Sequence, residues 1–174
     1  MKILIMSDSH GDVDIMCGAV EKEQPDMIIH LGDSIKDAEQ LNLKYPDIRM
    51  YKNPGNIDSK EESIQYAEIY GKRFMMTHGN QFAVTSESPE INDEGREKMM
   101  LQLYHNKADI LLHGHIHEPY LWSCQMTPTK FGWIMCPGRM GSNVNHRGTI
   151  HPIYGVLKIN EADALEWQFV EVKE

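Results

Sequence analysis

Ile110-Leu111-Leu112-His113-Gly114-His115-Ile116-His117 is the stretch on which the reading turns, because an apolar run gives way at once to three imidazoles in five positions. A strand over Ile110–Leu112 ends in a turn by Gly114. Residues spaced by two at a strand end point the same way, so His113, His115 and His117 address neighbouring points in space. Imidazole is the commonest metal ligand among side chains, and several aimed together imply a cation. The competing reading is a solvated histidine cluster, but this one is internal, follows a buried-type run and is interrupted by glycine.

The chain has 174 residues, 41% of them hydrophobic, enough for one well-buried core and too few for two comfortable domains; residues 1–174 therefore read as one domain. Its 17 Lys and Arg stand against 26 Asp and Glu, a formal net charge of −9. Neutralising a polymer's phosphates needs a basic surface that this balance does not supply, which counts against nucleic acid as a partner. A small anionic substrate needs only local help, which divalent cations held by aspartates provide. Cys17, Cys124 and Cys136 are odd in number and lack C-x-x-C spacing, so they read as reduced thiols. Ile3-Leu4-Ile5-Met6 is too short for a secretory segment or a membrane span, and no later run is long enough to span. The expectation is a cytoplasmic chain with no membrane partner.

Upstream of the histidines the same pattern repeats. Lys2–Met6 reads as a buried strand that ends at Ser7-Asp8-Ser9-His10, with Asp12 placed to cap a helix of about ten residues through Ile15, Met16, Ala19 and Val20. Met27–Leu31 is a second strand stopping at Gly32-Asp33, followed by an amphipathic helix over Ile35–Leu43. Ile48–Lys52 is a third strand, ending in the polar run Asn53–Asp58. Strands alternating with helices imply parallel pairing in an α/β layer. Ile64–Tyr70 and Arg73–His78, joined by a Gly71-Lys72 turn, read as a hairpin. Asn80–Asp93 reads as a long surface loop, and Glu94–Asn106 as a helix burying Met99, Met100, Leu103 and Tyr104. Tyr120–Met126, Trp133–Cys136, Tyr154–Ile159 and Leu165–Val172 read as an antiparallel set closing a second sheet. The fold class is α/β, two packed mixed sheets flanked by helices.

Five separate places thus carry metal-capable side chains just after a strand, and in α/β sheets such carboxyl ends gather at one rim, where ligands bind. Each member alone has an ordinary explanation: Asp33 as a helix cap, Asn56 as a turn residue, His78 as a hydrogen-bonded core histidine. Their shared context points to one site.

The ordered series Asp8-Ser9-His10, Gly32-Asp33, Gly55-Asn56, His78-Gly79 and Gly114-His115-Ile116-His117 resembles the calcineurin-like metallophosphoesterase superfamily, closest in size and order to its small bacterial and archaeal phosphodiesterases. The resemblance implies a four-layer α/β/β/α sandwich and a centre of two divalent metals, with manganese expected first and iron, zinc or nickel also suited to the ligands. It assigns Asp8, His10 and His117 to one metal, Asn56, His78 and His115 to the other, and Asp33 to both, with Asp33, Asn56 and His78 carried over as catalytic. The reaction it implies is hydrolysis of a small phosphate ester by in-line attack of a hydroxide bridging the two metals.

Many superfamily members read Gly-Asn-His at the third block, where the histidine serves the leaving group. Here Ile57 follows Asn56, so proton donation falls to a metal-bound water, to another histidine such as His113, or to nothing, if the leaving group departs unaided. The related phosphodiesterases also lack that histidine and often keep the next aspartate, here Asp58, which favours diesters. The alternatives are a phosphomonoesterase or protein phosphatase of the same superfamily and a non-catalytic scaffold like the retromer subunit. Cys136-Pro137-Gly138-Arg139 stands where relatives commonly have Asn-Pro-Gly-Ser. It reads first as a strand-ending turn, with Arg139 or Arg147 able to orient a phosphate as a fork of donors. His30 and His113 read as structural or supporting residues.

Overall fold

The computed structural model describes residues 1–85, 90–142 and 151–173. Strand β1 (Lys2–Met6) shows how the sequence sets the layers. Its alternate side chains point to opposite faces, and Ile3 and Ile5 enter one apolar cluster while Leu4 and Met6 enter another. On the Leu4 side lie helices α1 (Val13–Glu23) and α2 (Ile35–Lys44), which contribute Met16, Val20 and Leu41. On the Ile3 side lies a second sheet, whose Phe74, Met76, Ile110 and Leu112 meet the first across the central core.

The first sheet continues through the parallel strands β2 (Met27–His30) and β3 (Arg49–Lys52). The second contains the hairpin β4 (Ile64–Ile69) and β5 (Lys72–Thr77), then β6 (Ile110–Leu112), β7 (Tyr120–Thr127) and β8 (Lys130–Cys136), in the order β4-β5-β6-β8-β7. Helix α3 (Asp93–His105) covers the outer face of this sheet. There Met99 and Leu103 meet Leu111, while Ile110 and Leu112 face inward. Helices, two mixed five-stranded sheets and a further helix therefore stack as the α/β/β/α order expected.

The structure corrects several expectations. Strands β9 (Ile153–Ile159) and β10 (Leu165–Glu171) do not close the second sheet; β9 pairs antiparallel with β1, and β10 pairs with β9, extending the first sheet. The alternation of apolar residues reports that a strand has a buried face, not which sheet provides it. β7 and β8 do pair antiparallel, and β8 joins the sheet by running parallel to β6. The β4–β5 loop is Tyr70-Gly71, with φ of 51° and 74°, because Ile69 pairs with Lys72; two left-handed residues match the twist of a tight hairpin. The stretch read as a featureless loop holds a 3-10 turn over Asn80–Phe82, anchored by buried Phe82 against Met99 and Leu103. Met100 and Tyr104, 44% and 61% exposed, lie outside the buried face of α3. Asp12 precedes α1 but gives it no side-chain cap; its carboxylate accepts from Ser142 instead.

Gly18 sits on the exposed side of α1 with nothing within 4 Å of an added Cβ. Gly18→Ala is expected to stabilise the protein by about 0.5–1 kcal/mol, through lower unfolded-chain entropy and better helix propensity. Urea unfolding checks the sign, and a loss of stability would contradict a regular helix at that position.

Candidate metal centre

The loops following β1, β2, β3, β5, β6 and β8 are stitched to one another beyond the strand ends. Asp8 N donates to Gly32 O at 2.9 Å, Asn53 N to His30 O at 2.9 Å, and Gly114 N to His78 O at 2.8 Å. Met140 N and Gly141 N then bond Ser7 O and Asp8 O at 2.9 and 3.0 Å. The segments read as separate post-strand motifs therefore form one rim shared by the two sheets.

Two groups of donor atoms assemble on that rim. Asp8, His10 and His117 form one, and Asp33, His78 and His115 the other, each with its atoms within 4.8 Å of one another. Asn56 joins the second, its Oδ1 lying 2.9 Å from His78 Nε2, and Asp33 Oδ1 lies 3.3 Å from the same nitrogen. Asp8 Oδ2 accepts the His115 amide at 3.0 Å, so the two groups share a wall. The seven residues singled out from the sequence are thus all brought together.

Backbone strain marks the same positions. Asp8, His10, Asp33, His115 and His117 have φ of 55°, 47°, 55°, 68° and 65°, a left-handed region that costs side-chain-bearing residues energy and persists where the surroundings over-determine it. Most of the candidate ligands are held this way, a concentration that points to function.

The donor set has the chemistry of a cation site. Asp8 is completely buried, with its Oδ1 3.2 Å from His117 Nε2. Burial alone would raise this carboxyl, but the His117 hydrogen bond and the charges of His78 and His117 outweigh it and hold the group below the usual carboxylate range. His78 Nδ1 lies 2.9 Å from Leu31 O, and a carbonyl only accepts, so Nδ1 carries hydrogen. In the neutral ring, Nε2 would present its lone pair to the oxygens of Asp33 and Asn56, and a proton or a metal cation removes that conflict. Burial disfavours the charged ring, yet Asp33 and Asp8 overcome it and the His78 pKa is raised. Burial lowers the His10 ring against the pull of Asp8 and Asp33, and Arg139 and His117 add to the lowering. Carboxylates and imidazoles in this mixture suit manganese, iron, zinc or nickel better than an all-oxygen set would.

The supporting residues are equally defined. His30 is fully buried and burial brings it down to about 4; its Nε2 lies 3.2 Å from Ser9 Oγ, which donates to Asp37 Oδ2 at 2.8 Å. Asp37 also accepts Gly11 N at 2.7 Å and so pins the Asp8–Gly11 loop. His113, likewise buried and brought down to about 4, contacts Gly114 O and the Tyr120 hydroxyl. Asp58 Oδ1 accepts Ser34 N and Ile35 N, and its Oδ2 accepts Gly55 N, tying the third block to the second. Asp37 and Ser9 were missed by sequence reasoning, since an acid in the first turn of a helix reads as ordinary surface. Arg147 falls outside the described residues.

Residues 1–162 match a family profile described as the calcineurin-like phosphoesterase superfamily domain. A probable metallophosphoesterase of Mycoplasma pneumoniae is 29% identical over 117 residues, 67% of this chain and 67% of that protein. Among solved structures, a predicted phosphoesterase from Streptococcus pneumoniae superposes with a TM-score of 0.71 at 23% identity, covering 98% of this chain and 88% of that one. Wild-type Vps29 from Entamoeba histolytica, crystallised with zinc, gives 0.68 at 15% identity, covering 98% and 99%. At these identities the structural likenesses speak for the fold.

Proposed function

The chain belongs to the calcineurin-like phosphoesterase superfamily, and from that premise we propose that it is a dinuclear metal-dependent phosphodiesterase acting on a small phosphate ester. Membership supports metal-dependent phosphoester hydrolysis; the diester preference and the ligand assignment are our reading. The observation that carries it is the pair of adjoining donor groups, with buried carboxylates Asp8 and Asp33 each facing imidazoles.

In this reading Asp8, His10 and His117 hold one divalent ion and Asn56, His78 and His115 the other, with Asp33 serving both. When bound, such a pair supplies Lewis-acid activation of the ester and a hydroxide nucleophile near neutral pH. The chain's own residues fix the donors in advance. Leu31 O orients the His78 ring, Ile57 N holds Asp33 Oδ1 at 3.2 Å, and the His115 amide holds Asp8. His10, Asn56 and His117 are only partly buried, which leaves the rim open to a solute.

The diester preference rests on what cannot donate a proton. Ile57 is exposed and apolar, and His113 is sealed in the core against Tyr120, so neither serves a leaving group. A leaving group that departs without a protein acid fits better than an alkyl monoester. The net charge of −9 supports a small ester over a nucleic-acid polymer, and no described helix is long and apolar enough to cross a membrane.

Metal-stripped protein reloaded with Mn²⁺ is expected to bind two ions per chain by elemental analysis and to cleave bis-nitrophenyl phosphate faster than the mono-ester. Faster cleavage of the mono-ester would make it a phosphomonoesterase. Two bound ions with no hydrolysis under manganese, iron, zinc or nickel would leave a binding protein.

A further inference from the structure

Arg139 is a buried cation with no ion-pair partner among the described residues. It follows β8 through the Pro137-Gly138 turn, and its backbone is locked against the Asp8 loop. Arg139 O accepts Ile153 N at 2.9 Å, and the next two amides bond Ser7 O and Asp8 O at 2.9 and 3.0 Å. A Cβ on Gly141 would lie 2.7 Å from Ser9 O, so the two segments run flush. The Arg139 side chain is 4% exposed, and its inaccessible Nε meets no acceptor. Among the described residues no Asp or Glu forms an ion pair with it. Its backbone contacts with the Asp8 loop, together with the effect of its charge on the His10 ring, put it on the Asp8–His10–His117 side of the rim.

A guanidinium taken out of water is costly unless paired, and buried arginines normally meet a carboxylate or phosphate through their fork of donors. The neighbouring carboxylate does not fill that role, since Asp8 is engaged by His115 N and His117. The ligand that suits a fixed, planar, always-charged donor at this place is a tetrahedral oxyanion.

We propose that Arg139 is the anion-binding residue of the site, its guanidinium taking oxygens of the substrate phosphoryl group on the Asp8–His10–His117 side. The assignment rests on the phosphoesterase reading above and adds to it a residue that positions the phosphoryl group.

The test uses inorganic phosphate as probe, titrated calorimetrically into manganese-loaded protein, for the parent, Arg139→Met and Arg139→Lys. A charge-assisted hydrogen-bonded contact corresponds to roughly 10- to 100-fold in affinity. Arg139→Met is expected to lose that much phosphate affinity and to raise KM for the diester more than it lowers kcat. It should keep two manganese ions, with a melting temperature equal to or above the parent's, because an unpaired buried charge has been removed. Arg139→Lys is expected to recover part of the affinity. Unchanged phosphate affinity in a fully loaded Arg139→Met would overturn the proposal, as would loss of bound manganese and of melting temperature in both variants, which marks a structural cation. If the parent binds phosphate through Arg139 but cleaves no ester, the phosphodiesterase reading falls and this assignment stands; if the parent cleaves diesters and Arg139→Met binds phosphate normally, the reverse holds.

Discussion

Asp33→Asn is expected to lower kcat/KM for the diester on the order of a thousandfold, with the protein still folded. The substitution preserves shape: an asparagine oxygen still accepts Ile57 N, the contact made at 3.2 Å in the parent, so the loop between β2 and α2 keeps its conformation. What disappears is a negative charge only 4% exposed, set against the His78 ring and grouped with His115. In a site screened from water, a preorganised charge has an effect far larger than at the surface, and deleting a single well-placed electrostatic group typically costs 10²–10³ in rate. Because Asp33 is assigned to both ions, the same variant is expected to retain fewer than two manganese ions per chain. Turnover and metal content equal to the parent's would remove the two-metal reading altogether.

That prediction was within reach of the sequence because each element of the site is built locally. A strand that ends at the rim leaves its last residues and the next turn pointing into the same space, so Asp8 after Lys2–Met6, Asp33 after Met27–His30 and His78 after Lys72–Thr77 carry their own address. The close packing of loops behind them is less local. Ser9 meets Asp37 across 28 positions, and Asp12 meets Ser142 across 130. A carboxylate that caps its own helix and one that ties a distant loop look the same in one dimension, which is why Asp12 was misread and Asp37 overlooked.

The fold divides along the same line. The three parallel strands β1, β2 and β3 follow from apolar runs spaced by helices, since a crossover helix leaves parallel pairing as the natural return. The sheet membership of β9 and β10 does not follow, because β1 requires backbone partners on both sides and the partner on one side is supplied from residues 153–159. Phe82 illustrates a different limit. One aromatic residue in a polar stretch has no periodicity to report, yet it anchors a 3-10 turn against Met99 and Leu103. Hydrophobic patterning reveals faces, and an isolated anchor has none.

Gly55→Ala should be severely damaging for so small a substitution, abolishing activity to at least the extent of Asp33→Asn and destabilising the protein by about 3 kcal/mol or more. A Cβ there would lie 2.1 Å from Asp33 Oδ1 and 2.3 Å from the Asp33 backbone nitrogen, distances at which something has to move. Neither partner is free to do so. Gly55 N is held by Asp58 Oδ2 at 2.9 Å, and Ser34 N and Ile35 N by the Oδ1 of the same carboxylate at 3.2 and 3.0 Å. Separating the two loops therefore breaks the Asp58 ties, while keeping them forces Asp33 off its place against His78 and His115. Overpacking of this kind typically costs 1–3 kcal/mol where the surroundings can yield, and more where they are backbone. For a domain of this size each kcal/mol shifts the melting temperature by roughly 2–4 °C. Gly71→Ala supplies the control. Its φ of +74° makes the substitution strained, but nothing lies within 4 Å of the added carbon, and the hairpin tip lies at the opposite end of β5 from His78. A left-handed alanine costs about 1–2 kcal/mol, so that variant should melt earlier while turning over diester at the parental rate. Parental activity in Gly55→Ala, at a melting temperature no lower than that of Gly71→Ala, would mean that Asp33 is not wedged against the third block as the structure places it.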